Sequence, residues 1–190
     1  LLIDAIDSEV LYRELEVIEK LTVILTHSHF DHICGLNRIR DLKPDVKVYA
    51  TRQCSYNIGN KYKNMSASAS AFMTFYDGSP FAGIIEPIIC QPADLVFEGY
   101  LNFRWQNHDI ALKAFYGHSN DSLIAIMDSE CMFSGDTLLS IPTVTRFPGG
   151  STARFWREDI PELEKMEVGK VYPGHGMQGN LESMILCNKE

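Results

Sequence analysis

Residues 21–32 impose two demands on any fold at once. Leu21-Thr22-Val23-Ile24-Leu25 is a short apolar run rich in β-branched residues, which predicts a buried strand. Directly behind it comes His27-Ser28-His29-Phe30-Asp31-His32, three of the chain's six histidines within six residues. Imidazoles and a carboxylate crowded at the end of a buried strand repel one another as cations, or sit unsatisfied when neutral. A divalent cation removes both problems, since zinc takes imidazole nitrogen and carboxylate oxygen alike. The spacing carries geometry as well. In extended chain, residues i and i+2 point to one side, so His27 and His29 are expected to chelate one metal. Asp31 and His32 follow where the chain turns toward a helix, within reach of a second.

Further donors stand at turns behind other strand-like runs. Gly117-His118 follows Ile110–Tyr116, Gly135-Asp136 follows Cys131–Ser134, and Gly174-His175 follows Lys170–Tyr172. Each donor is preceded by a glycine, expected to let the backbone turn sharply. Any one of the three is a turn residue as readily as a ligand; with the cluster they form a set. His108, between Asn107 and Asp109, is left out and reads as an exposed turn residue. Cys34 lies two residues past the cluster at a spacing that fits no cysteine-ligand pattern.

The remaining chain alternates strand and helix. A strand at 1–4 is followed by a helix over Glu9–Lys20 with Ser8 as N-cap, a helix over Gly35–Leu42 stopped before Pro44, and a strand over Val46–Ala50. This alternation predicts an α/β layer with strands at least partly parallel. Residues 51–64 are read as helical. Residues 65–83 mix small and aromatic side chains with Gly78 and Pro80; they read either as a loop or short helix packing on the domain or as a mobile apolar lid over the site. Runs at Leu101–Trp105, Ile110–Tyr116, Leu123–Met127 and Cys131–Ser134 lie about ten residues apart, the spacing of antiparallel hairpins. A Pro- and Gly-containing loop, a helix over 153–166, a strand over Lys170–Tyr172 and a helix from Leu181 complete the pattern. The interleaving leaves no boundary, so residues 1–190 are expected to form one domain.

Composition narrows the partners. A net charge of −8 argues against an extended phosphate-binding surface and hence against nucleic acid. No apolar run approaches a membrane span, and Asp4 and Asp7 interrupt the first apolar stretch, so neither a membrane partner nor a signal peptide is expected. Five cysteines, an odd number without a C-x-x-C pair, read as reduced thiols of a cytoplasmic protein. The chain opens inside a strand and without Met, which predicts that residues precede Leu1.

In this order, His27, His29, Asp31, His32, His118, Asp136 and His175 resemble the full ligand set of the metallo-β-lactamase superfamily. The likeness runs from Asp4, which matches the aspartate at the end of the strand preceding the motif, to Gly176. It implies a four-layer αββα sandwich, here lacking its first strands, with two metals at one edge of the sheets. His27, His29 and His118 would hold the first, Asp31, His32 and His175 the second, and Asp136 would bridge them. Two zinc ions are the expected cofactors, with iron or manganese as alternatives. Asp136 stands where classical zinc β-lactamases carry cysteine or no bridging carboxylate, so β-lactam hydrolysis is not expected. His29 stands where flavodiiron oxygen reductases carry glutamate. The sequence shows neither the β-CASP insertion of the nucleases nor the helical C-terminal domain of glyoxalase II. Gly135-Asp136-Thr137-Leu138 with Arg146-Phe147-Pro148-Gly149-Gly150-Ser151 is similar to the compact glyoxalase-II-like branch. Thr145-Arg146-Phe147 replaces the Arg-Thr-Asp of that branch, so its usual glutathione contacts are not expected. The resemblance implies a hydrolase in which a metal-bridging hydroxide attacks a small acyl substrate, a thioester or lactone, with Asp31 as ligand and proton acceptor. Tyr76, Tyr116 and Arg146 are candidates for substrate contact. Two other readings stand beside it: a mononuclear iron enzyme like the persulfide dioxygenases, and a non-catalytic metal-binding protein.

Overall fold

The computed structural model describes residues 1–70 and 86–189. Two sheets organise them. The first holds four parallel strands in the order β1 (Leu2–Ile3), β2 (Thr22–Ile24), β3 (Lys47–Thr51) and β4 (Leu95–Phe97). The second holds β5 (Tyr100–Trp105), β6 (His108–Ala114), β7 (Leu123–Met127), β8 (Cys131–Gly135) and β9 (Lys170–Pro173), antiparallel except for the parallel β8–β9 pair. Helices α1 (Glu9–Glu16), α2 (Phe30–Ile33), α3 (Leu36–Leu42) and α4 (Arg52–Asn57) connect the strands of the first sheet. Two short helices, α5 (Thr152–Arg154) and α6 (Ile160–Leu163), flank a π-helical turn at Phe155–Asp159, and α7 (Leu181–Lys189) closes the described chain.

Side-chain alternation sorts the core into three slabs. Val23, Leu25, Val48 and Ala50 point outward, where they meet Tyr12, Leu15, Leu36 and Ile39 of the first helical layer. Ile24 and Tyr49, between them in sequence, point inward and meet Ile110, Leu112, Leu123 and Ala125 of the second sheet. Ile124, Met132 and Val171 point away from that interface, onto Phe155, Ile160, Leu163, Met184 and Ile185. Period-2 alternation on both sheets therefore produces helix, sheet, sheet, helix: the expected αββα sandwich.

Several local expectations are corrected. The first helix has the predicted Ser8 N-cap, whose hydroxyl accepts from the Leu11 amide, but it ends at Glu16 rather than Lys20. Its buried residues are Tyr12 and Leu15, with Leu11 partly buried beside them, while Val10 and Val17 are exposed. The helix expected over 51–64 stops at Asn57. Beyond it the chain makes turns and a 3₁₀ turn at Ser66–Ser68, fixed by the Asn64 side chain donating to the carbonyls of Ile58 and Ile88. The helix expected over 153–166 is broken by the π turn. His108 opens β6 instead of lying in the turn, and its Nδ1 is 2.5 Å from Asp128. The lid reading falls mostly on residues outside the described ones, as does Tyr76. All five cysteines are free. Among the described residues, no helix is long and apolar enough to cross a membrane.

The π turn has a positional role. It brings the buried Asp159 carboxylate to the Gly117 amide, which donates to Oδ2 at 2.7 Å. A Cβ at Gly117 would lie 2.4 Å from that oxygen and 2.7 Å from Phe155 Cβ, so glycine is needed there for close approach. Burial pushes the Asp159 carboxyl up to about 6, against the pull of the Gly117 and Tyr116 amides. An unfolded-chain aspartate titrates near about 3.9, so between these values the folded chain binds the proton more tightly. Stability from this group is thus present below about pH 4 and lost as pH rises through about 6. Asp159→Asn keeps an acceptor for Gly117 and removes the titration. Its stability relative to the parent chain, from denaturant melts at several pH values, is expected to climb across this window. A constant difference would show that burial does not oppose ionisation here.

Candidate metal centre

Four strand ends converge on one rim of the sandwich. β2 delivers His27 and His29, with α2 behind them placing Asp31 and His32. The turn after β6 delivers His118, and the ends of β8 and β9 deliver Asp136 and His175. All seven residues singled out in the sequence are brought together. Single donor atoms of His27, His29 and His118 lie within 4.8 Å of one another, as do those of His27, His32 and Asp136, and those of Asp31, His32 and His175. His29 Nδ1 and His118 Nε2 are 3.1 Å apart. Two ligands sharing a tetrahedral zinc at about 2.0–2.1 Å stand about 3.3 Å apart, so this contact has the span of a ligand pair. Asp136 lies between the two ends of the cluster. Its Oδ1 is 3.4 Å from His32 Nε2, and its Oδ2 is 3.7 Å from both His118 Nε2 and His175 Nε2.

Outer hydrogen bonds fix which ring nitrogen faces inward. Thr26 Oγ1 donates to Asp4 Oδ2 at 2.8 Å, so the His27 Nδ1–H, 3.1 Å away, donates to Thr26 Oγ1. His118 Nδ1 donates to the Val144 carbonyl at 2.7 Å, and His32 Nδ1 donates to Asp4 Oδ2 at 2.7 Å. Each leaves Nε2 for the centre, the arrangement by which partners on the far side of an imidazole orient it for a metal. Within the donor set, three buried atoms then lack a hydrogen bond: His27 Nε2, and His32 Nε2 and Asp136 Oδ1, which face each other at 3.4 Å. Buried polar atoms are almost always satisfied, and three orphans converging on one point fit a cation.

Electrostatics divide the set. Burial, reinforced by neighbouring imidazoles, holds His27 well below the usual histidine range and lowers His29 to about 4. Burial also lowers His118. These three are neutral, as ligands must be. At His32 burial works the same way, but Asp4 and Asp136 outweigh it and hold the protonated form well above the usual range. Burial would raise Asp31 and Asp136; the hydrogen bond from His175 to Asp31, and His32 beside Asp136, keep both carboxyls low. His175 Nε2 is 2.9 Å from Asp31 Oδ2, and both side chains are about two-fifths exposed, so this end of the cluster opens to solvent.

Glycines serve the site by leaving room more than by turning. Gly135 has a positive φ of 49°, and a Cβ there would strike Thr26 Oγ1 at 2.5 Å. Gly117 and Gly174 lie in bends, as expected, but neither has a positive φ, so what glycine alone supplies there is room. A Cβ on Gly174 would lie 2.4 Å from Asp136 Oδ1 and 2.7 Å from His32 Cε1. Asp4 turns the chain at φ 59°, a conformation aspartate tolerates.

Some site residues carried no recognised signal. Phe147 is half-buried, its ring 5.4 Å from that of His29 and 5.8 Å from that of His118, edge to face. It walls the three-histidine end. Arg146 beside it is exposed. Tyr116 lies under Arg154, 4.7 Å from its guanidinium, among the outer helices and away from the donors. A cavity of about 600 Å³ adjoins Asp31, His32 and His175 and is otherwise lined largely by apolar side chains, among them Ile3, Trp105, Phe133 and Tyr172. A larger hollow, about 920 Å³, lies beside α7 and contains none of the seven donors.

Asp4 ties Thr26 and His32 together, so Asp4→Ala is expected to weaken zinc binding roughly 10–100-fold, measured by competition with a chromophoric chelator. Parent-like affinity would show that Asp4 serves the backbone alone.

Comparison with known proteins agrees with this geometry. Over 119 residues the chain is 32% identical to a probable metallo-hydrolase, YqgX, of Bacillus subtilis (strain 168), covering 62% of this chain and 49% of that one. Over 172 residues it is 24% identical to glyoxylase B2 of Dictyostelium discoideum, covering 89% and 54% respectively. The chain thus spans about half the length of these curated relatives. Among solved structures, TTHA1623 in a di-iron-bound form superposes with a TM-score of 0.71 at 23% identity, covering 95% of this chain and 84% of that one. The family model of the metallo-beta-lactamase superfamily matches residues 4–175, a stretch that starts at the Asp4 hub and ends at the last donor, and the chain belongs to that superfamily.

Proposed function

We propose that the chain is a binuclear, zinc-dependent hydrolase of small acyl compounds, thioesters or lactones, in the glyoxalase-II-like manner. The observation that carries this reading is the convergence of seven donors, with His27 Nε2 buried and without a hydrogen bond and His32 Nε2 and Asp136 Oδ1 facing each other at 3.4 Å. His27, His29 and His118 would hold one ion, Asp31, His32 and His175 a second, and Asp136 would join the two. Bound divalent ions would supply a Lewis acid for the acyl oxygen and a water acidic enough to ionise near neutral pH. The chain's own residues do the remainder. Asp31, kept ionised by His175 and partly open to solvent, accepts a hydrogen bond from the attacking water and orients it. Phe147 offers an apolar edge against which an acyl group can rest. The resemblance to glyoxylase B2 supports the substrate class. Imidazole and carboxylate donors also suit iron, and a structure of this fold is described in a di-iron-bound form.

Elemental analysis of the purified protein tests the metals. About two zinc ions per chain are expected. About one iron would move the assignment to oxygen or sulfur chemistry, and no metal after reconstitution would refute the donor reading. Asp136→Ala and His32→Ala are each expected to lower thioester or lactone turnover at least about 10³-fold, since a Lewis acid is worth several kcal/mol, while circular dichroism stays unchanged. Activity retained in both variants would sink the two-metal mechanism.

A further inference from the structure

The turn that carries His118 also carries Asp121, three residues on and fully buried. Its Oδ1 accepts from Ser119 Oγ at 2.6 Å and its Oδ2 from Asn57 Nδ2 at 2.7 Å. Ser119 Oγ is in turn 2.5 Å from Ser122 Oγ, and Thr51 Oγ1 donates to the Asp121 carbonyl at 2.8 Å. All these partners are neutral. Among the described residues no ion pair joins Asp121 to a basic side chain. The same turn is tied to the donor end, the Leu123 amide donating to the carbonyl of Thr26, next to His27, at 2.8 Å.

A buried carboxylate without a counter-charge is costly, and hydrogen bonds from neutral groups offset only part of that cost. The three-histidine end of the donor set has the opposite deficit. Its imidazoles bring no charge to a divalent cation, and Asp136 is shared with the other end. We infer that Asp121 is the outer counter-charge of the cation site formed by His27, His29 and His118, a positioning residue that acts through its field while Asn57 and Ser119 hold it in place. The inference rests on the reading of that trio as a metal site. It makes Asp121 expensive when no cation is bound and favourable when one is, so its charge couples metal uptake to stability.

The test compares Asp121→Asn, which removes the charge at nearly constant shape, with Asn57→Ala, which removes one supporting hydrogen bond and keeps the charge. Zinc affinity is read by competition with a chromophoric chelator, and melting temperature is read with and without zinc. Asp121→Asn is expected to bind zinc roughly tenfold or more weakly, with a metal-free melting temperature equal to or above the parent's. Asn57→Ala is expected to lower the metal-free melting temperature with a smaller loss of zinc affinity than in Asp121→Asn. Asp121→Ser repeats the charge removal where the Asn variant does not fold. Parent-like affinity in an uncharged variant, failure of both uncharged variants to fold without zinc, or an equal loss of affinity in Asn57→Ala would overturn the inference and leave the metal reading intact. A parent chain that binds no zinc would overturn both.

Discussion

The rim of this sandwich depends on one buried carboxylate. Asp4 sits where β1 ends, and its two oxygens take the Thr26 amide, the Thr26 hydroxyl and His32 Nδ1. Those contacts tie β1 to the end of β2 and to α2, the segment that carries four of the seven donors. The same carboxylate orients His27 at one remove, through the Thr26 hydroxyl, and His32 directly. Backbone hydrogen bonds reinforce the link, with Ala5 donating to the His32 carbonyl and Gly35 to the Ala5 carbonyl. A Cβ on Gly35 would lie 2.2 Å from the Ile6 carbonyl, so the chain passes too close there for any other residue. The first strand is short, but its terminal aspartate sets the position of the donors.

That arrangement has an energetic consequence. Imidazoles packed at centroid distances of 4.1–4.9 Å, as His27 is with His29, His32 and His118, cannot all be charged. Burial forces the three-histidine end neutral. His32 keeps its proton and Asp136 stays ionised because the two lie side by side, with Asp4 on the far side of the ring. The cluster is therefore two electrostatic environments side by side: a neutral nitrogen-rich pocket and a zwitterionic one with carboxylates. A cation in either exchanges unsatisfied lone pairs or a displaceable proton for ligand bonds, and this is why stability and metal uptake are linked at such a site.

How much of this was legible in the sequence follows from how local each signal is. His27, His29, Asp31 and His32 share one hexapeptide, so their meeting was forced by chain geometry alone. His118, Asp136 and His175 come from distant strands; adjacent glycines marked them, the histidine cluster made them a set, and the family likeness divided that set between two metals. The partly parallel character of the first sheet could be read from the intervening helices and the antiparallel hairpins of the second from their spacing, while their stacking as a sandwich came from the family likeness. What stayed hidden was nonlocal. The end of α1 at Glu16 reflects which face meets the sheet, and Val17 lies on the wrong side of that choice. The π turn at Phe155–Asp159 exists to bring Asp159 under Gly117, a contact 42 residues apart in sequence. Val144 contributes only a carbonyl, which every residue has, so no side-chain pattern could announce it.

Hidden and legible residues differ in what they do to the donors. The hexapeptide supplies nitrogen and oxygen atoms, and those atoms would form a metal site on many scaffolds. Asp4, Thr26, the Val144 carbonyl and the Gly117–Asp159 contact decide which nitrogen of each ring faces inward and how far the rings stand apart. The loop from Ile141 to Gly150 does both at once: Val144 fixes His118 from outside while Phe147 covers His118 and His29 from the solvent side. Gly150 packs so closely that a Cβ there would lie 2.5 Å from the His118 carbonyl, which pins that loop to the donor turn. A change in its sequence therefore alters the wall beside the three-histidine end and the orientation of a donor together. Those two properties are coupled at that end by one loop, whereas the Asp31–His175 end is open to solvent.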